Sequence, residues 1–168
     1  MQTRHLFAIR YVAVSAMLLL LSPSIVAQEE QRGSDKYLCS EPHPENMCTA
    51  DNTCGSNSAG CVVDIKRSSS NASATPNMPN AKANMPFCVM VGTEVTWQSR
   101  SKNTGFVVDF GPGSPFDSDA IVGGSDRPVS AVARKKGCYK YSAGACVSGS
   151  IYGMCGSVET ELIITGSK

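Results

Sequence analysis

From Phe87 onward, apolar side chains return at every second position in short bursts. Phe87, Val89 and Val91 form one row, Gly92-Thr93 breaks it, and Val95 and Trp97 resume it. Phe106, Val108 and Phe110 alternate with Val107 and Asp109, and Tyr139 and Tyr141 alternate with Cys138 and Lys140. Near the end, Val158, Thr160, Leu162 and Ile164 oppose Glu159 and Glu161. A period of two sends successive side chains to opposite faces of a pleated strand, so each burst predicts a strand with one buried face. Cys61-Val62-Val63-Asp64-Ile65 predicts an earlier strand, and the polar run 67–84 after it predicts a loop. No segment keeps a 3.6-residue period for more than a turn or two. The expectation is an all-β sandwich or barrel, with Trp97, Phe106, Val108, Phe110 and Tyr139 on its inner faces.

The start of the chain is different in kind. Arg4 and Arg10 precede an apolar run, Tyr11 to Leu21, which is followed by Pro23 and the small Ala27 before polar Gln28-Glu29-Glu30. A run this short does not cross ~30 Å of hydrocarbon, and the flanks are those of a secretory signal peptide cleaved after Ala27. The expected location is secreted or periplasmic, with no membrane insertion once the leader is gone. All eight cysteines lie beyond it: Cys39, Cys48, Cys54, Cys61, Cys88, Cys138, Cys146 and Cys155. An even set in an oxidising compartment predicts disulfides throughout. Four of them crowd the polar, turn-rich stretch up to Cys61, which has too few aliphatic residues for a core and must draw its order from cross-links. The expected boundaries are 1–27 for the signal peptide, 28–60 for a cysteine-rich extension and 61–168 for the β domain.

Charge removes some function classes. Two of the 15 basic residues are in the leader, so the remainder falls one short of the 14 acidic residues. Nothing draws the protein to nucleic acid or to an anionic membrane.

The string Phe87-Cys-Val-Met-Val-Gly-Thr-Glu-Val-Thr-Trp97, followed by Gly105-Phe-Val-Val-Asp-Phe-Gly111, resembles a core signature of the cupredoxins, the blue-copper fold family. Gly137-Cys-Tyr-Lys-Tyr-Ser142 is similar to the family's penultimate strand, Tyr152-Gly-Met-Cys-Gly156 to the end of its copper loop, and Ser157 to Thr165 to its last strand. The resemblance covers roughly 61–168 and implies a cupredoxin-like Greek-key β-sandwich. It also implies a ligand set that this chain lacks. A type 1 copper centre takes two imidazoles, a thiolate and a weak thioether. Here Phe106 falls near the place of the first histidine and Ala143 or Gly144 near that of the thiolate. The second histidine has no counterpart, and only Met154 matches. Apart from His5 in the leader, His43 is the only histidine. In the loop expected over 142–157, a Cys146–Cys155 disulfide would replace the metal as the brace, with Cys138–Cys155 as the rival pairing. Cys88 would then join Cys138 or the extension, and the four upstream cysteines would pair mostly among themselves.

Other chemistry is sparse. Met78, Met85 and Met90, with His43, Met47 and Cys48, are soft donors suited to Cu(I). Asp117, Asp119 and Asp126 are hard donors for calcium, but at no EF-hand spacing. No nucleophile elbow or activated serine is visible. Asn71-Ala72-Ser73 is a glycosylation sequon, read here as part of a loop. The expected function is a copper-free binding or structural module with a protein or cell-surface partner and no cofactor. The alternatives are a copper-binding or electron-transfer protein with non-standard ligands, or a small secreted inhibitor acting through the segment 144–155.

Overall fold

The computed structural model describes residues 38–55, 60–149 and 155–166. The leader, its cleavage point and Met154 lie outside them. Among the described residues nine strands form: β1 (Cys61–Ser68), β2 (Asn71–Pro76), β3 (Phe87–Met90), β4 (Glu94–Gln98), β5 (Thr104–Asp109), β6 (Ala120–Gly124), β7 (Val129–Val132), β8 (Gly137–Val147) and β9 (Cys155–Thr165). They make a four-stranded sheet in the order β2-β1-β4-β7 and a five-stranded sheet in the order β3-β9-β8-β5-β6. The pairs β1–β4 and β3–β9 are parallel, and the others antiparallel. The chain changes sheet repeatedly, and the result is the Greek-key sandwich that the alternation and the resemblance predict. The elements also appear in the order the resemblance implies.

Two expected loops are strands. Within the polar run 67–84, Ala72, Ala74 and Pro76 are buried while Asn71 is exposed, so β2 alternates with alanine in place of the usual large apolar residues. Small side chains suffice because β2 lies close over β8 and β9. A Cβ at Gly156 would stand 2.6 Å from Ser70 O and Asn71 C of the β1–β2 turn, so only glycine admits this approach. The second correction is the stretch 142–157. β8 and β9 stay paired through Cys146↔Cys155, which places Ala143 and Gly144 in mid-strand.

The core is organised around Trp97, which is fully buried on β4. Its ring meets Tyr141 at 5.5 Å, Phe110 at 6.0 Å and Phe116 at 6.3 Å, all edge-to-face, the arrangement ring quadrupoles favour. Tyr141, not Tyr139, is the tyrosine in this cluster; Tyr139 packs at the core margin and donates its hydroxyl to Lys135 O. The indole N–H finds no acceptor among the described residues.

Replacing Trp97 by alanine should cost about 3–5 kcal/mol. Urea unfolding of the variant checks this, and an unchanged midpoint would contradict the placement. Burial also pushes the Tyr141 hydroxyl far above the ordinary tyrosine range. The unfolded chain releases this proton near pH ~10 while the fold retains it, so the stability it contributes is complete below that pH and is lost as pH rises beyond it. Denaturation series from about pH 8 to about pH 11 should show a steeper alkaline loss for the parent than for Tyr141→Phe.

Candidate functional site

One face of the five-stranded sheet packs on the core; the other looks outward, and the sequence of its outward positions divides it in two. At one end Cys88 (β3), Ile163 (β9) and Cys138 (β8) stand in a row across three strands, and Glu161 comes next along β9. Outward residues are normally wet. Yet Cys88 is 0%, Ile163 1% and Glu161 2% exposed.

The cysteine-rich extension covers them. Its described residues form three short 3-10 turns, Leu38–Ser40, Pro44–Met47 and Ala50–Asn52, the last with a capping box in which Asn52 Oδ1 accepts the Thr49 N–H at 2.7 Å. Cys39–Cys138 and Cys48–Cys88 fasten it to the two ends of the outward row, so that it spans Ile163. The Glu161 carboxylate accepts the Leu38 N–H at 2.6 Å and the Cys39 N–H at 3.2 Å. Cys54 N–H donates to Cys88 O at 2.7 Å beside a Thr53↔Cys88 bridge, which closes the free edge of β3. Only Cys54–Cys61 joins two upstream cysteines, so the expectation that the four pair mostly among themselves is corrected: Cys39 and Cys48 cross to the sandwich. The Cys146–Cys155 pairing forms as expected, and no described cysteine is free. Cys39 and Cys138 are 99 residues apart, a separation for which loop-closure entropy alone gives roughly 4–5 kcal/mol.

The methionine candidates resolve differently. The near-duplicate segments Asn77-Met78-Pro79 and Asn84-Met85-Pro86 are two copies of one device. Asn77 donates its N–H to Val62 O and accepts the Val62 N–H on Oδ1; Asn84 does the same to Ala74. In each case the side-chain oxygen mimics a strand carbonyl and clasps both polar groups of one residue. The methionine that follows turns to the core: Met78 is buried in it and Met85 packs against it. Met90 ends β3 and is partly exposed. His43 is exposed, with Nδ1 3.5 Å from Glu45 Oε1. Asp117 binds Arg134 Nε through both oxygens at 2.7 and 2.8 Å, Asp119 O accepts the Phe110 N–H, and Asp126 sits in the turn after β6. Among the described residues no three His, Cys, Asp or Glu side chains converge as a metal site.

Where the resemblance would place copper ligands, Phe106 lies buried with its ring in the space a Cβ at Gly123 would occupy, and Ala143 is fully buried. Gly144 supports Val107, whose Cγ1 would be 3.1 Å from a Cβ there. This end of the outward face is uncovered. Val107, 38% exposed, and Val122, 61%, oppose each other on β5 and β6, bordered by Gly105 and Gly124. Sequence reasoning missed the covered half of the face, although two outward cysteines flanking an outward isoleucine were a readable signal of it.

No protein-family model matches the chain, and no curated protein is significantly similar to it. Among solved structures, a reduced Cu(I) form of an amicyanin mutant at pH 4 is 16% identical, with 64% of this chain and 83% of that chain covered and a TM-score of 0.36. An oxidized amicyanin mutant is 17% identical over 63% and 82%, with a TM-score of 0.34. A Cu(I) form of a further mutant gives 16%, 63%, 82% and 0.34. The fold assignment rests on the strand pairing of this chain itself.

Glu161→Ala removes the acceptor of two partly buried N–H groups and should destabilise the protein by about 1–3 kcal/mol. Hydrogen exchange should show Leu38 and Cys39 amides losing protection at denaturant concentrations that leave β5 and β8 protected. Retained protection at both would contradict the role given to this carboxylate.

Proposed function

We propose that this chain is an exported, disulfide-stabilised binding or structural module, secreted or periplasmic, that uses a blue-copper type of sandwich without a type 1 copper centre and is not an enzyme. One observation carries the reading: the positions that would hold the first imidazole and the thiolate carry Phe106 and Ala143, both committed to core packing. A coordinating thiolate must be free, and every described cysteine is in a disulfide, which supports the same reading. Four disulfides suit an oxidising compartment, and among the described residues no helix is long and apolar enough to cross a membrane. The partner is a protein or a cell-surface component, met by loops and by the uncovered sheet face, since a rigid scaffold commonly leaves recognition to such surfaces. A second reading, a small inhibitor presenting the segment 144–155, draws on the Cys146–Cys155 brace at the loop end of the β8–β9 ladder.

The test is direct. Oxidised protein incubated with Cu(II) and then desalted should retain substoichiometric copper and show no intense thiolate charge-transfer band in the visible. One copper per chain with such a band would overturn the proposal.

A further inference from the structure

A cleft of about 580 Å³ opens along the seam between the extension and the sandwich. That volume falls within the ~300–1,000 Å³ usual for small-molecule sites. Its walls come from both sides of the seam and are fixed there by the Cys48–Cys88 disulfide and by the Cys54 N–H to Cys88 O bond.

The lining has a definite donor and acceptor balance. Thr49 Oγ1 donates to Asn52 Oδ1, Thr53 Oγ1 to Thr49 O, and Thr165 Oγ1 to Val89 O. Each hydroxyl proton is therefore committed within the protein, and what these three residues offer a ligand is lone pairs. Two charged groups line the same cleft, Glu45 from the extension and Lys136 from the β7–β8 loop. Glu45 has His43 Nδ1 at 3.5 Å, while Lys136 acts on it from beyond ion-pairing distance. Its own backbone N–H, with smaller help from His43 and Lys136, holds the Glu45 carboxyl below its ordinary range, so it is an anion at neutral pH. Met90, Ala50 and Cys48 complete the lining.

A ligand that satisfies this lining carries a cationic donor, an anionic acceptor and an apolar body. We propose that the cleft binds a short zwitterionic peptide with apolar side chains, its terminal ammonium held by Glu45 and the threonine oxygens and its carboxylate by Lys136. A free amino acid carries the same two charges without the amide backbone and second side chain that would fill a cleft of about 580 Å³. The inference goes beyond the reading above: bound copper would leave it standing, and its failure would leave the copper question where it was.

Titration of the oxidised chain with leucylleucine, followed by calorimetry and by amide chemical shifts, tests it. Saturable binding at millimolar ligand is expected, with shifts at Thr49, Thr53 and Lys136. N-acetylleucylleucine, leucylleucine amide and free leucine should each bind at least about tenfold more weakly, the worth of one charge-assisted hydrogen bond. Lys136→Met should abolish the preference for the free carboxylate over the amide, and Glu45→Gln the preference for the free amine over the acetyl form. Both substitutions lie on the surface and should leave the urea midpoint unchanged. Absence of saturable binding, equal affinity for all four compounds, or a preference that survives both substitutions would overturn the proposal.

Discussion

The structure depends on one constraint: the outward face of the five-stranded sheet carries residues that water should not reach. Ile163 buries an apolar side chain whose exposure would forfeit roughly 1.5–3 kcal/mol, and Glu161 is a carboxylate whose burial is tolerable only with donors in place. The extension meets both needs at once. Its first turn brings two backbone N–H groups to Glu161, and its two disulfides straddle Ile163. A segment with almost no aliphatic residues thus becomes ordered by borrowing the sheet as its core, while the sheet gains a cover and a closed edge at β3.

Much of the sandwich was legible in the sequence. The alternations around Val95-Trp97, Phe106-Val108 and Leu162-Ile164 became β4, β5 and β9, because a period of two over a half-buried surface has few other solutions. β2 was not legible: Asn71 to Pro76 alternates between polar residues and alanine, and the signal lies in the close approach to Gly156, a tertiary fact. Of the cysteine pairings only Cys146–Cys155, across one short loop, was legible; Cys39–Cys138 and Cys48–Cys88 were not, since spacing along a chain does not say which distant segments become neighbours. Glu161 looked like an ordinary solvent-facing position beside Glu159, and only the arrival of Leu38 and Cys39 separates the two. The twin Asn-Met-Pro segments were visible as a repeat, but their shared role, one asparagine clasping a strand residue and one methionine entering the core, needed the hydrogen bonds to be seen.

These features move the interest of the molecule from one end of the sandwich to the other. At the end where the resemblance would seat a metal, Phe106 over Gly123 and the extended β8–β9 hairpin leave packed side chains and a flat surface of glycine and valine. At the other end, the added extension creates a seam lined by charges from both sides and by committed hydroxyls.

The extension is covalently fastened across the outward face of the sheet. Proteolysis of the oxidised protein under non-reducing conditions, with the linked peptides identified by mass spectrometry, tests it most directly. One peptide pair joining Cys39 to Cys138 and another joining Cys48 to Cys88 are expected. Recovery of Cys39 and Cys48 linked to each other, or to Cys54 and Cys61, would contradict it.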